Sequence, residues 1–96
     1  MTPDSGEHPR YRVILAPGAR RALTQTLPAL AAFAACQFIT GPLLQRPRVV
    51  GSSLRMPYEG LWSARRGVYR VRYRIDEASR EVLVLDIDHS VGAYRF

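Results

Sequence analysis

In the run Tyr69-Arg70-Val71-Arg72-Tyr73-Arg74-Ile75, every second residue is an arginine and the residues between are apolar or aromatic. Successive strand residues point to opposite faces, so Arg70, Arg72 and Arg74 share one face and Tyr69, Val71, Tyr73 and Ile75 the other. One face can pack a core while the other presents a row of guanidinium groups. Guanidinium is planar, permanently charged and forked, which matches the oxygens of a phosphate. All 14 basic residues of this 96-residue chain are arginine, against 8 acidic residues, for a formal charge of +6. That balance points the same way as the row, toward a polyanionic partner. A genome favouring arginine codons, and a merely solvated sheet face, are the plain alternatives. Arginine does not release its proton, so any proton transfer must use another side chain. His89 is the titrating group available near this segment, with an exposed bystander as its other reading.

The elements that must position these groups are legible from patterning. Residues 1–9 are polar, with Pro3, Gly6 and Pro9, and read as a flexible tail without a signal pattern. Residues 10–96 suffice for one domain with one small core. Residues 11–16 alternate as a strand that Pro17 and Gly18 end. A short helix follows over 19–27, and Pro28 opens a second running from Ala29 to about Thr40, stopped by Gly41-Pro42. No residue from Ala22 to Gln45 is charged, but Thr24, Gln25, Thr26, Gln37, Thr40 and the prolines break the run. It falls short of the roughly 20 unbroken apolar residues of a spanning helix, so no membrane segment is expected. Its leftover apolar surface is expected to dock a partner. Cys36, the only cysteine, excludes an internal disulfide or a thiol metal cluster and is expected in the core. Such a chain is expected in the cytoplasm, with no metal and no cofactor.

A turn at Arg66-Gly67 would put Ser63 opposite Arg70 and Arg65 opposite Val68, with Trp62 and Ala64 on the apolar face. The turn over 76–80 leads into Glu81-Val82-Leu83-Val84-Leu85-Asp86-Ile87-Asp88, another strand. An unbroken register there sets Ile75 opposite Glu81, Val71 opposite Leu85 and Arg70 opposite Asp86. Leu83, Leu85 and Ile87 then share the core face, and an Arg70–Asp86 ion pair would occupy the central cation. The expected fold is α+β, in the order β-α-α-β-β-β, with an antiparallel sheet packed on two helices. Tyr58 and Tyr94 fall outside strand parity and are candidates for stacking on bases.

The hairpin Gly60-Leu61-Trp62-Ser63-Ala64-Arg65-Arg66-Gly67 with Tyr69-Arg70-Val71, and the closing Asp86-Ile87-Asp88-His89-Ser90 with Tyr94-Arg95, resemble the RelE/ParE superfamily of type II toxins. The segment 38–44, with Pro47 and Gly51, is similar to mycobacterial-type RelE toxins. The likeness covers roughly residues 11–95. It implies a RelE-like fold and cleavage of messenger RNA in the ribosomal A site, by attack of a ribose 2′-hydroxyl on the adjacent phosphorus. It implies catalytic roles for Arg70, on the scissile phosphate, and for Tyr94, which orients the substrate base, with His89 as acid or base. Arg55, Arg65, Arg66, Arg72 and Arg95 become RNA contacts. The implied partners are messenger RNA, the ribosome and a cognate antitoxin, acidic and folding on contact. The sequence departs from active relatives at Leu61 and Ser63, where they carry lysines, at Ser90, where they carry arginine, and at Asp86, where many carry histidine. Those departures keep open a ParE-like gyrase inhibitor without nuclease chemistry, and an attenuated toxin acting within an antitoxin complex at an operator.

Overall fold

The computed structural model describes residues 11–55, 57 and 59–89. Strand β1 (Arg12–Leu15) leads into α1 (Pro17–Arg21), which opens with proline where no N–H is needed. The chain then widens into a π-helical turn over Ala22–Thr26, closed by the Leu27 N–H donating to the Ala22 carbonyl at 3.0 Å. Pro28 forbids a helical Leu27, whose ψ is 143°, and so separates this turn from α2 (Ala29–Thr40). Two short helices follow, α3 (Pro42–Gln45) and α4 (Pro47–Val50), each again begun by proline. The remaining strands are β2 (Ser52–Ser53), β3 (Trp62–Arg66), β4 (Tyr69–Asp76) and β5 (Glu81–His89).

The α+β class and the helices-on-sheet architecture are as the sequence predicts, and α2 has the expected limits. The sheet is mixed rather than wholly antiparallel. Its order is β1-β5-β4-β3-β2, with β1 parallel to β5 because all other elements intervene before β5 lands beside β1. Helix α2 buries Ala31, Ala35, Phe38 and Ile39, a stripe at helical spacing. Ala35, Phe38 and Ile39 join Leu43, Leu44, Ala64, Tyr69, Val71, Tyr73, Val82, Val84 and Ile87 in one core. Cys36 lies on the outer side of α2 and is exposed, against expectation, because the buried stripe passes through Ala35 instead. Leu30 and Phe33, 84% and 62% exposed, lie on that outer side too.

Two register corrections bear on function. The β3–β4 turn is Gly67-Val68, not Arg66-Gly67, because Gly67, at φ 57°, takes the first central position of the turn. Arg65 therefore faces Arg70, and Ser63 faces Arg72. Moving the turn by one residue moves the register by two, so the predicted sorting of faces survives. Between β4 and β5 the register slips at Arg72/Tyr73, leaving Leu85 unpaired as a bulge. Tyr73 then pairs with Val84 and Ile75 with Val82, while Val71 pairs with Ile87 and Arg72 with Asp86. Val82 and Val84 fill the core in place of Leu83 and Leu85, which are only half-buried. Among the described residues no helix is long and apolar enough to cross a membrane, and no cluster of His, Cys, Asp and Glu could hold a metal ion.

Candidate phosphate-binding site

Of the two sides of the sheet, one carries the helices; Arg70, Arg72 and Arg74 stand on the other. At the β3 end of this open side, Arg65 and Arg70 oppose each other in register. Two like charges directly across a ladder disfavour the sheet unless a counter-charge joins them. Both line a groove of about 490 Å³ with Ser52, Ser63, Gly51, Val49, Val50 and Leu54. The groove pairs two forked cations and two hydroxyls with an apolar wall, a donor set suited to a phosphodiester.

Its walls are held from the core. Tyr73, fully buried, donates from its hydroxyl to the Pro47 carbonyl at 2.6 Å, tying α4 to β4. Burial pushes the Tyr73 hydroxyl up to about 12. Gly51 is required there, since a Cβ would sit 2.1 Å from the Tyr73 hydroxyl oxygen. On the far side of α4, Arg48 and Tyr11 both donate to the Glu77 carboxylate, and Arg80 lies 4.5 Å from the Tyr11 ring. The hydrogen bonds from Tyr11 and then Arg48 hold the Glu77 carboxyl below its usual range.

The expected Arg70–Asp86 pair does not form. Arg72 takes Asp86 at 2.7 Å and Asp88 at 3.0 Å, and Arg70 makes no ion pair among the described residues. The hairpin closes on Asp76–Glu81 rather than Ile75–Glu81 and the bulge adds a second step, so Asp86 faces Arg72 instead of Arg70. Arg66 belongs to the helix side, its guanidinium 4.7 Å from the Phe38 ring centre, apart from Arg65 and Arg70. It partly offsets the burial that raises the Tyr69 hydroxyl, which donates to the Ala34 carbonyl at 3.2 Å. Arg55 is exposed in the connector after β2, outside the groove lining. His89 pairs in register with Tyr69, so strand alternation turns it to the helix side while Asp88 faces Arg70. Tyr58, Ser90, Tyr94 and Arg95 lie outside the described residues. Sequence reasoning missed Ser52 and the walls Val49 and Val50, and the only signal for them was the glycine that lets α4 turn into β2 at Gly51.

Residues 9–94 match the family described as the ParE toxin of the type II toxin-antitoxin system parDE. Toxin RelE of Mycobacterium tuberculosis is 43% identical over 91 residues, covering 95% of this chain and 92% of that protein. Toxin RelG of the same organism is 41% identical over 85 residues, covering 88% and 97%. Among solved structures, the RelBE2 toxin-antitoxin complex of M. tuberculosis superimposes with a TM-score of 0.80 at 42% identity, over 84% of this chain and 98% of that one. The isolated RelE toxin of E. coli shares the fold, with a TM-score of 0.67 at 18% identity, over 83% and 84%. The arginine-faced sheet packed on an apolar helix layer thus has its counterparts among toxins, and the chain belongs to the RelE/ParE superfamily of type II toxin-antitoxin toxins, of the RelE type.

Proposed function

We propose that this toxin is a ribosome-dependent endoribonuclease that cleaves messenger RNA at the groove between Arg65 and Arg70. The observation that carries the reading is the cross-strand Arg65–Arg70 pair, with Arg70 unengaged by any carboxylate among the described residues. In the reaction the ribose 2′-hydroxyl gives its proton to water and its oxygen bonds to the adjacent phosphorus, while the bond from phosphorus to the 5′-oxygen breaks and that oxygen takes a proton from water. The products are a 2′,3′-cyclic phosphate and a 5′-hydroxyl. Negative charge grows on the non-bridging oxygens, and the two guanidiniums, Arg70 above all, stabilise it more in the transition state than in the ground state. Ser63, on the strand that brings Arg65, and Ser52, paired with it on β2, supply further donors. Tyr94 orients the substrate base, and Arg55, Arg66 and Arg95 contribute to the basic surface that meets RNA. His89, on the helix side by register, acts away from the scissile phosphate.

The partner that restrains it is an antitoxin, as the RelBE2 complex has for its toxin. The exposed Leu30 and Phe33 on α2 and the +6 charge suit an acidic segment that folds on contact. The reading is tested by inducing wild-type and Arg70→Ala chains in bacteria and mapping messenger 5′ ends. New ends and growth arrest are expected from the wild type and a loss of at least ~100-fold in cleavage from Arg70→Ala, the scale on which single transition-state donors act. Growth arrest that survives Arg70→Ala, with a DNA-damage response and intact messages, contradicts it.

A further inference from the structure

The open face holds two carboxylates where an anion site would want none. Asp88 stands directly opposite Arg70, and Asp86 opposite Arg72. The bulge at Leu85 puts them there, since an unbroken ladder from Asp76–Glu81 onward would turn both toward the core. Asp88 could close on Arg70 from directly opposite, at a Cβ separation of about 5 Å, and Asp86 from the diagonal, at about 7–8 Å, within reach of so long a side chain. Neither does. Arg72 holds both, one guanidinium nitrogen to Asp86 at 2.7 Å and the other to Asp88 at 3.0 Å. Its side chain is 30% exposed, with both terminal nitrogens already committed.

We propose that Arg72 is a positioning residue: it sequesters Asp86 and Asp88, leaves Arg70 open for the substrate phosphate, and does not itself contact RNA. This corrects the sequence expectation that Arg72 is an RNA contact, and it rests on the phosphate reading of the Arg65–Arg70 groove. The charge around the groove follows simply. With Arg72 in place, its group carries one net negative charge beside the two cations of Arg65 and Arg70. Without it, two carboxylates stand free and Asp88 pairs with the arginine opposite it. Replacing Arg72 and both aspartates by neutral residues removes the group entirely and leaves Arg70 with no carboxylate opposite it on β5.

The test uses the full-length chain in four forms: wild type, Arg72→Gln, Asp86→Asn/Asp88→Asn, and the triple Arg72→Gln/Asp86→Asn/Asp88→Asn. Binding of a fluorescent 12-nucleotide single-stranded RNA is measured by anisotropy over a salt series, and the Arg70 Nε–Hε signal is followed by NMR. Arg72→Gln is expected to weaken RNA binding at least tenfold and to slow exchange of the Arg70 Hε proton as Asp88 closes on it. The triple variant is expected to return to wild-type affinity or tighter, with the Arg70 signal back in its wild-type state. A triple variant as weak as Arg72→Gln would make Arg72 a direct phosphate contact and overturn the proposal. So would an Arg70 signal unmoved by Arg72→Gln. Should the wild type itself bind no RNA, the phosphate reading fails on that result alone, and the Arg70 signal still decides the positioning role.

Discussion

Arg65 and Arg70 face each other across β3 and β4, and the two are unequal. Arg70 is half-buried on β4, the central strand of the sheet, one residue from its start; Arg65 is exposed, one residue from the end of β3 near the sheet's edge. A preset cation stabilises a transition state more than one that must first be ordered. Arg65→Ala is therefore expected to lower single-turnover cleavage by roughly tenfold, well short of the Arg70→Ala loss. His89→Ala is expected to change it by less than about threefold, because register turns the imidazole away from Arg70. Single-turnover rates on ribosome-bound messenger separate the three; a His89→Ala loss as large as that of Arg70→Ala would put the imidazole in the reaction. Arg70 itself was legible in the sequence, since alternation alone put it on the polar face. Its freedom from Asp86 was not, because four consecutive apolar residues, Val82 to Leu85, carry no parity signal and can absorb a bulge unseen.

The elements around the groove depend on one buried hydroxyl. Tyr73 reaches from β4 to the last turn before β2 and holds the Pro47 carbonyl at 2.6 Å. Tyr73→Phe leaves that carbonyl without its partner and is expected to cost about 1–2 kcal/mol in urea unfolding. Gly51→Ala is expected to cost more, since its Cβ would meet the same hydroxyl at 2.1 Å and both the backbone and a core ring resist moving. The tyrosine also sets a pH signature. Its hydroxyl ordinarily titrates at 10.0 and is raised by burial to about 12 in the fold, so the neutral form is favoured in the native state. That contribution is fully present below about pH 10 and is lost as pH rises toward 12, amounting to about 3 kcal/mol. Tyr73→Phe should flatten the alkaline limb of the stability profile; a variant that keeps the wild-type slope between pH 10 and 12 would show that another group sets it. The strand pairing of β3 and β4 was nearly readable from the sequence. The turn was off by one residue because Arg66-Gly67 and Gly67-Val68 both contain the glycine and a positive φ suits it in either place; the pairing of Arg66 with Tyr69 fixes the second.

At the scale of the whole molecule, charge and apolar surface are separated. The open sheet side carries the arginine row, while the outer side of α2 carries Leu30, Phe33 and Cys36 with no charge within the helix. The proposed RNA site and the proposed antitoxin-docking surface can then be altered independently. Phe33→Asp is expected to weaken neutralisation by the antitoxin at least tenfold while leaving RNA cleavage within about twofold, as loss of an aromatic anchor does at other interfaces. Titration of cleavage with antitoxin gives both quantities, and an unchanged inhibition curve would move the docking surface elsewhere. The uncharged run from Ala22 to Gln45 pointed in the sequence to leftover apolar surface, which Leu30 and Phe33 supply. Its orientation was not legible, because alanine-rich helices have a weak apolar stripe and Cys36 could have faced either way.

The central claim is that two guanidiniums on a sheet face cut messenger RNA on the ribosome. Its most direct measurement is a purified ribosome programmed with a synthetic messenger and an empty A site, incubated with toxin, with product termini read by mass spectrometry. The account predicts one cut in the A-site codon, leaving a 2′,3′-cyclic phosphate and a 5′-hydroxyl, with Arg70→Ala inactive. An intact messenger, or cleavage that persists in Arg70→Ala, would contradict it.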